Sequence, residues 1–223
     1  MNNITELVTN LSKLYGMPKI QPHGDPLAEL IMTVLSQNTS DKNSGRAFMQ
    51  LLRNFDDWND IANATTTKIE QTIRSGGLAK QKAPRIKAIL QEVYSYTSGT
   101  WNLDMLATKP VEDARAWLLS LPGVGPKTAA CVLLFALNRP ALPVDTHVER
   151  VSKRLELITE KTPLAKAHVE LEKLVPPDMY YSFHMLMIKH GRRICSALKP
   201  RCIDCPLQRK CPSRKKYETT EKY

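Results

Sequence analysis

The residues of this chain best suited to chemistry are a lysine at the mouth of a glycine turn and an aspartate at the start of a later helix. Both lie in residues 121–147, LPGVGPKTAACVLLFALNRPALPVDTH. Leu121-Pro122-Gly123-Val124-Gly125 reads as a turn that exposes backbone N–H groups, and Pro126 suits the first position of the apolar helix that follows. Amides at such a helix start, together with the positive end of its dipole, bind a phosphate without reading base sequence. Lys127 comes next, and Asp145 stands 18 residues further on, in Val144-Asp145-Thr146-His147. An amine and a carboxylate so arranged could be held over a DNA sugar. Each also has a plainer reading, Lys127 as a phosphate anchor and Asp145 as a helix N-cap, and capping is compatible with chemistry.

A second cluster of reactive side chains lies near the C-terminus. Cys195, Cys202, Cys205 and Cys211 are separated by six, two and five residues, so that four thiols fall within seventeen positions. Zinc sites usually pair two short knuckles across a longer loop, and only Cys202 and Cys205 form one here. A cubic four-iron cluster needs four sulfurs from a compact irregular loop, which this spacing supplies. Two disulfides are the third alternative; they are disfavoured because the N-terminus does not read as a signal peptide and the cytosol is reducing. Cys131, within the apolar stretch after Lys127, is expected to be a small buried side chain.

Gly123-Val124-Gly125, Lys127, the Val144-Asp145-Thr146-His147 run and the C-x₆-C-x₂-C-x₅-C spacing resemble the helix-hairpin-helix DNA glycosylases. Within them, the lysine after the second glycine and the cysteine pattern resemble the endonuclease III group. The resemblance spans nearly the whole chain and implies two helical lobes with DNA in the groove between them. One would be a six-helix barrel over 20–139 with its hairpin near 121–127, and the other a discontinuous iron–sulfur lobe of 1–19 plus 140–223. It implies a [4Fe-4S] cluster on Cys195, Cys202, Cys205 and Cys211. The implied partner is double-stranded DNA that contains damaged bases or abasic sites. The implied activity is base excision repair: a glycosylase that removes oxidised pyrimidines and also nicks at abasic sites.

Further residues take roles from the same resemblance. Gly123 and Gly125 would meet phosphate, His147 would help orient nearby groups, and Lys199 and Arg201 in the loop between Cys195 and Cys202 would contact the DNA backbone. A base inside a duplex must be flipped out before it can be cut, and its place filled. The group does this with a polar residue in the loop after the second helix and with an apolar wedge. That loop here is Ser36-Gln37-Asn38-Thr39-Ser40-Asp41. Aligning its serine and aspartate puts Asn38 at the filling position with Gln37 just before it, and a simple polar turn is the alternative. Leu78, behind Gly76-Gly77, is the wedge candidate or else an apolar contact closing a helix end. Pro126 departs from many relatives, which carry a basic residue there, so the phosphate grip should rest more on neighbouring amides and other lysines.

The chemistry follows from the residue types. An amine attacks only in its neutral form, which a helix N-terminus and partial burial both favour. Attack by Lys127 at C1′ would give a Schiff base with the opened sugar, acidify the C2′ proton and permit β-elimination. Asp145 would stabilise the developing sugar cation or move the amine's proton. Two other functions compete. A mismatch glycosylase removing thymine, uracil or adenine would activate water instead; its adenine-removing branch usually has a glutamate four residues before the first-loop glutamine, where this chain has Thr33, and these branches usually lack the lysine. A non-enzymatic iron–sulfur protein would use the hairpin only to hold phosphate.

These groups need a scaffold, and the rest of the chain reads as helix after helix. Ile4, Leu7, Val8, Leu11, Leu14 and Tyr15 fall on one helical face, and Asp25-Pro26 caps a helix whose buried side is Leu27, Leu30, Ile31, Val34 and Leu35. Further amphipathic segments are predicted at 43–54, 66–75, 81–96, 111–120, 127–137, 146–157, 163–175 and 179–190. No alternating stretch competes for a sheet, so the fold class is all-α. The chain has 223 residues and a formal charge of +10, with eleven Lys or Arg and three acids from Met185 onward. That charge favours an anionic partner. No apolar run approaches a membrane span, and the protein is expected to be a soluble, cytoplasmic monomer.

Overall fold

The computed structural model describes residues 3–218. In chain order the α-helices are α1 (Ile4–Tyr15), α2 (Pro26–Ser36), α3 (Asp41–Asn54), α4 (Trp58–Asn63), α5 (Thr66–Thr72), α6 (Ala79–Tyr96), α7 (Met105–Thr108), α8 (Val111–Ser120), α9 (Pro126–Cys131), α10 (Thr146–Arg154), α11 (Leu164–Leu174), α12 (Tyr180–Arg193) and α13 (Arg214–Glu218). No strand occurs among the described residues, so the fold is all-α as expected. Nor is any helix among them long and apolar enough to cross a membrane. The chain divides into two compact units, Pro22–Arg139 and the discontinuous Met1–Gln21 with Pro140–Tyr223.

The continuous unit is built on α2. Asp25 starts this helix by accepting the Ala28 amide at 2.9 Å, and Pro26 takes the first position, where a missing N–H costs nothing. Leu27, Leu30, Ile31, Val34 and Leu35 are at most 1% exposed, and α3, α6 and α9 pack around them. Each such side chain contributes about 1.5–3 kcal/mol of transfer free energy, so the core fixes where α2 ends and its following loop begins. The 127–137 segment, expected as one helix, is helical in two ways. α9 stops at Cys131, and Val132–Ala136 continues as a wider π-helical turn. The 66–75 segment likewise ends early at Thr72, and a 3₁₀ turn over Arg74–Gly76 carries the chain away.

In the discontinuous unit α12 packs against both α10 and α1. Leu7, Leu11, Val148, Val151, Phe183, Leu186 and Met187 form its apolar centre. Leu14, expected on the buried face of α1, is 50% exposed. The last place on that face goes to Tyr15, whose hydroxyl lies 3.2 Å from His190 Nδ1. Beyond α12 the chain loses regular structure, with only short 3₁₀ turns at Cys202–Asp204 and Gln208–Lys210 before α13. Helices α4 and α7 escaped the sequence reading because six and four residues are too few to display a period.

Candidate functional site

In the continuous unit the hairpin joins α8 to α9. Leu121 and Val124 are buried at 4% and 6% exposure and pin the turn, and the Val124 amide donates to Leu121 O at 3.1 Å. Gly123 adopts φ +73, a left-handed conformation that favours glycine. Space disfavours a side chain as well, since a Cβ there would collide with the Arg85 side chain, which would have to move. Gly125 precedes α9 with no side-chain cap, and Pro126 opens the helix. The first amides of a helix have no intrahelical acceptor, so the hairpin presents N–H groups around Lys127, which is itself half-buried.

The loop after α2 adjoins this hairpin. Arg85 Nη1 donates to Gln37 Oε1 at 2.7 Å, and Gln37 Nε2 reaches Gly123 O and Thr128 Oγ1 at 3.4 Å each. Gln37 is therefore engaged within the protein. Asn38, the next residue, is exposed and left-handed at φ +53. Leu78 is likewise left-handed at φ +52 and 45% exposed at the start of α6. The two loops are neighbours: a Cβ on Gly77 would stand 3.9 Å from Thr39 Oγ1. Thr33, where a water-activating carboxylate would sit in an adenine-specific enzyme, is buried and donates its hydroxyl to Glu29 at 2.9 Å.

In the discontinuous unit Asp145 caps α10. Its Oδ1 accepts the amides of His147 and Val148 at 2.8 Å each, which leaves Oδ2 outside the cap. The segment leading to it is clamped by side chains far away in sequence. His184 Nδ1 pairs with Pro143 O at 2.7 Å, His168 Nδ1 with Leu142 O at 3.2 Å, and the Leu142 amide donates to Glu172 at 2.7 Å. Two buried histidines and a glutamate thus fix the approach to Asp145. Sequence reasoning missed all three, because nothing local marks them.

His147 lies against Gly191 and Arg150, whose Nη2 is 3.0 Å from His147 Nδ1. Burial pushes the imidazole below its ordinary range, with Arg150 acting in the same direction and Asp145 against it. Arg150 also donates to Gly191 O at 2.8 Å and to Cys195 O at 3.1 Å, tying α10 to α12 and to the cysteine loop.

None of the four C-terminal cysteines is in a disulfide, and all four line one small cavity, with Val151, Leu155, Ile194 and Pro200 among its apolar walls. Arg154 holds the loop from the side, donating to Cys195 Sγ at 3.2 Å, Ser196 O at 2.6 Å and Ala197 O at 2.8 Å. Burial raises the Cys205 thiol to about 11, and the other three cysteines push the same way, while burial also raises Cys211. Such thiols become good ligands only when a positive centre replaces the proton. Among the described residues no group of three or more His, Cys, Asp or Glu side chains is spaced for a single metal ion. Cys131 stands apart, 2% exposed in α9. Lys199 and Arg201 are exposed on the same loop, and Arg201 donates to Arg193 O at 2.8 Å.

Comparison with known proteins sets these features in context. The family model described as HhH-GPD superfamily base excision DNA repair protein matches residues 31–177. Endonuclease III of Thermotoga maritima is 36% identical over 208 residues, covering 93% of this chain and 92% of its own. Endonuclease III of Bacillus subtilis is 32% identical over 189 residues, or 85% of this chain and 82% of its own. A candidate DNA glycosylase of Arabidopsis thaliana is 38% identical over 188 residues, and the match spans 80% of this chain but 64% of that relative. Among solved structures, a non-covalent endonuclease III–DNA complex superposes with a TM-score of 0.83 at 31% identity over 97% of both chains. A trapped covalent endonuclease III–DNA intermediate gives 0.81 at 32% identity over 96% of both.

Proposed function

The chain belongs to the HhH-GPD superfamily of base excision DNA repair proteins, and from that premise we propose that it is an endonuclease III-type DNA glycosylase in which Lys127 is the nucleophile. The observation that carries this reading is the position of Lys127, one residue past the proline that opens α9 behind a left-handed turn that favours glycine. The substrate class is duplex DNA with an oxidised pyrimidine. The Lys127 amine forms a bond to C1′ as the bond from C1′ to the base breaks, and the base departs with its electron pair and takes up a proton. The C1′–O4′ bond then breaks as the nitrogen lone pair forms the C1′=N bond, and the amine's proton passes to O4′, which leaves an imine with the opened sugar. Removal of a C2′ proton then expels the 3′ oxygen of the sugar with its phosphate, nicking the strand, and water hydrolyses the imine to release Lys127.

Asp145 supplies the negative charge that this sequence needs. With Oδ1 committed to the α10 cap, Oδ2 is the oxygen for stabilising the sugar cation or shuttling a proton. Asn38 is the better candidate for filling the vacated stack, because Gln37 is already bonded to Arg85. Leu78, exposed on the adjoining loop, is the wedge. Lys199 and Arg201 supply cations for phosphate on the exposed cysteine loop.

Cys195, Cys202, Cys205 and Cys211 fit a [4Fe-4S] cluster. They line one cavity with apolar walls, and their six-, two- and five-residue spacing on a compact irregular loop suits four sulfurs around a cubic cluster. Bound there, the group supplies a cross-link for a loop with little regular structure, since base excision includes no redox step. Arg154, donating to Cys195 Sγ, offsets part of the thiolate charge.

Borohydride trapping on abasic-site DNA tests the proposal. The wild-type protein should be linked covalently to the oligonucleotide, and Lys127→Gln should give no adduct while still binding DNA. A monofunctional mismatch enzyme or a non-enzymatic DNA-binding protein would leave wild-type protein and DNA unlinked, which would reject the lysine chemistry.

A further inference from the structure

The largest fully buried side chain outside the apolar core is a lysine that this mechanism does not use. Lys82, in the first turn of α6, is 2% exposed. Its amine donates to Leu35 O at 2.6 Å and to Gly76 O at 2.9 Å. Among the described residues it meets no carboxylate, and a desolvated cation without a counter-charge is costly to keep. Burial lowers its proton affinity, and the nearby Arg85 charge does so too. The bonding withstands that shift, because a neutral amine still carries two N–H groups for two carbonyls.

The two acceptors lie where two loops depart. Leu35 is the last buried residue of α2, and the chain leaves it through Ser36 and Gln37 to the exposed, left-handed Asn38. Gly76 closes the 3₁₀ turn, and the chain leaves it through Gly77 to the exposed, left-handed Leu78. Gly76 is itself pressed against α3, where a Cβ would stand 2.9 Å from Ala47 Cβ, so its carbonyl has little freedom to turn away. Arg85, three residues on in α6, reaches the first loop again through Gln37.

We propose that Lys82 is a positioning residue for duplex opening: one buried amine ties together the carbonyls from which the filling loop and the wedge loop depart, and so fixes Asn38 and Leu78 relative to each other. The proposal rests on the base-excision reading above. A loose pair of loops would still present both side chains, but each could yield to the duplex separately. Joined through Lys82, they enter the stack as one rigid element, and the free energy of opening is not spent on ordering them.

Lys82→Met keeps the length and loses both donors. Excision is compared on two substrates that carry the same lesion, one in a fully paired duplex and one in an unpaired bulge, where the base is already out of the stack. Excision from the paired duplex should fall about 30-fold, and from the bulge less than about threefold. In a background of Asn38→Gly and Leu78→Ala the same substitution should change paired-duplex excision less than about threefold, because the residues it positions are gone. Equal losses on paired and bulged substrates, or an undiminished loss in the double-variant background, would overturn the proposal and leave Lys82 a purely structural bond. If Lys82→Met does not fold, as read from its melting curve, Lys82→Arg answers the same comparison, since it keeps the donors and moves them. Wild-type protein that excises from neither substrate would instead reject the base-excision reading, and the two failures are thereby distinct.

Discussion

The hairpin that presents Lys127 and the loop that gathers the four cysteines solve the problem of placing reactive atoms in opposite ways. The hairpin is held by its own neighbours: buried Leu121 and Val124, a left-handed Gly123 under Arg85, and a proline that starts the next helix. The cysteine loop has only isolated 3₁₀ turns, and its backbone carbonyls go to guanidinium groups from Arg150 and Arg154 on a distant helix. One region is ordered by local rules and a hydrophobic core, and the other by cations and by the group proposed for its thiols. Damage should therefore stay local. A fault in the hairpin should disable chemistry and leave the cysteine centre intact, and a fault in the cysteine centre should loosen its own unit first.

The sharpest separation is expected for Lys127→Gln. Strand nicking and the trapped adduct should fall by about a thousandfold or more, while the visible absorbance of the cysteine-bound group stays unchanged. Asp145→Asn should slow base release by about a hundredfold. Because an amide oxygen still caps a helix, its melting temperature should match wild type; a matching loss of stability would mean that Asp145 is a cap and nothing more. Cys202→Ser should remove the absorbance and weaken DNA binding by about tenfold, with amide exchange faster over 194–218 and unaltered in α2 and α6. Exchange that rises equally throughout the chain would contradict the division drawn above. Gly123→Ala should cost about 1–3 kcal/mol in a denaturant titration through φ strain and collision with Arg85, again with the absorbance retained. The smallest effect is expected from Arg201→Ala, a few-fold loss of affinity on any sequence, with the salt dependence shallower by about one counterion.

How far the sequence could be read follows from the same contrast. Asp25, Asp145 and Pro126 announce helix starts because caps act over two or three residues, and the glycine turn announces itself for the same reason. The close cysteine spacing marks a cage without saying what encloses it. Lys82, His168, His184 and Arg154 gave no signal, because the carbonyls they serve lie 26 to 47 residues away for their cross-chain bonds. The choice between Gln37 and Asn38 was open for a related reason. It turns on Arg85, 48 positions from Gln37, which engages one side chain and leaves the other exposed. Leu14 misled because its spacing is right, but the packing surface of α12 gives that place to Tyr15.

The discontinuous unit has a consequence for biosynthesis. Helix α1 is made before the 22–139 unit and its partners after it: Tyr15 meets His190 and Lys189, and Glu6 pairs with Lys210. On the ribosome the intervening 22–139 unit can complete its core while α1 still carries Leu7 and Leu11 without their native cover. The nascent chain must therefore keep an apolar helix waiting while residues 22–139 are made and until α12 emerges.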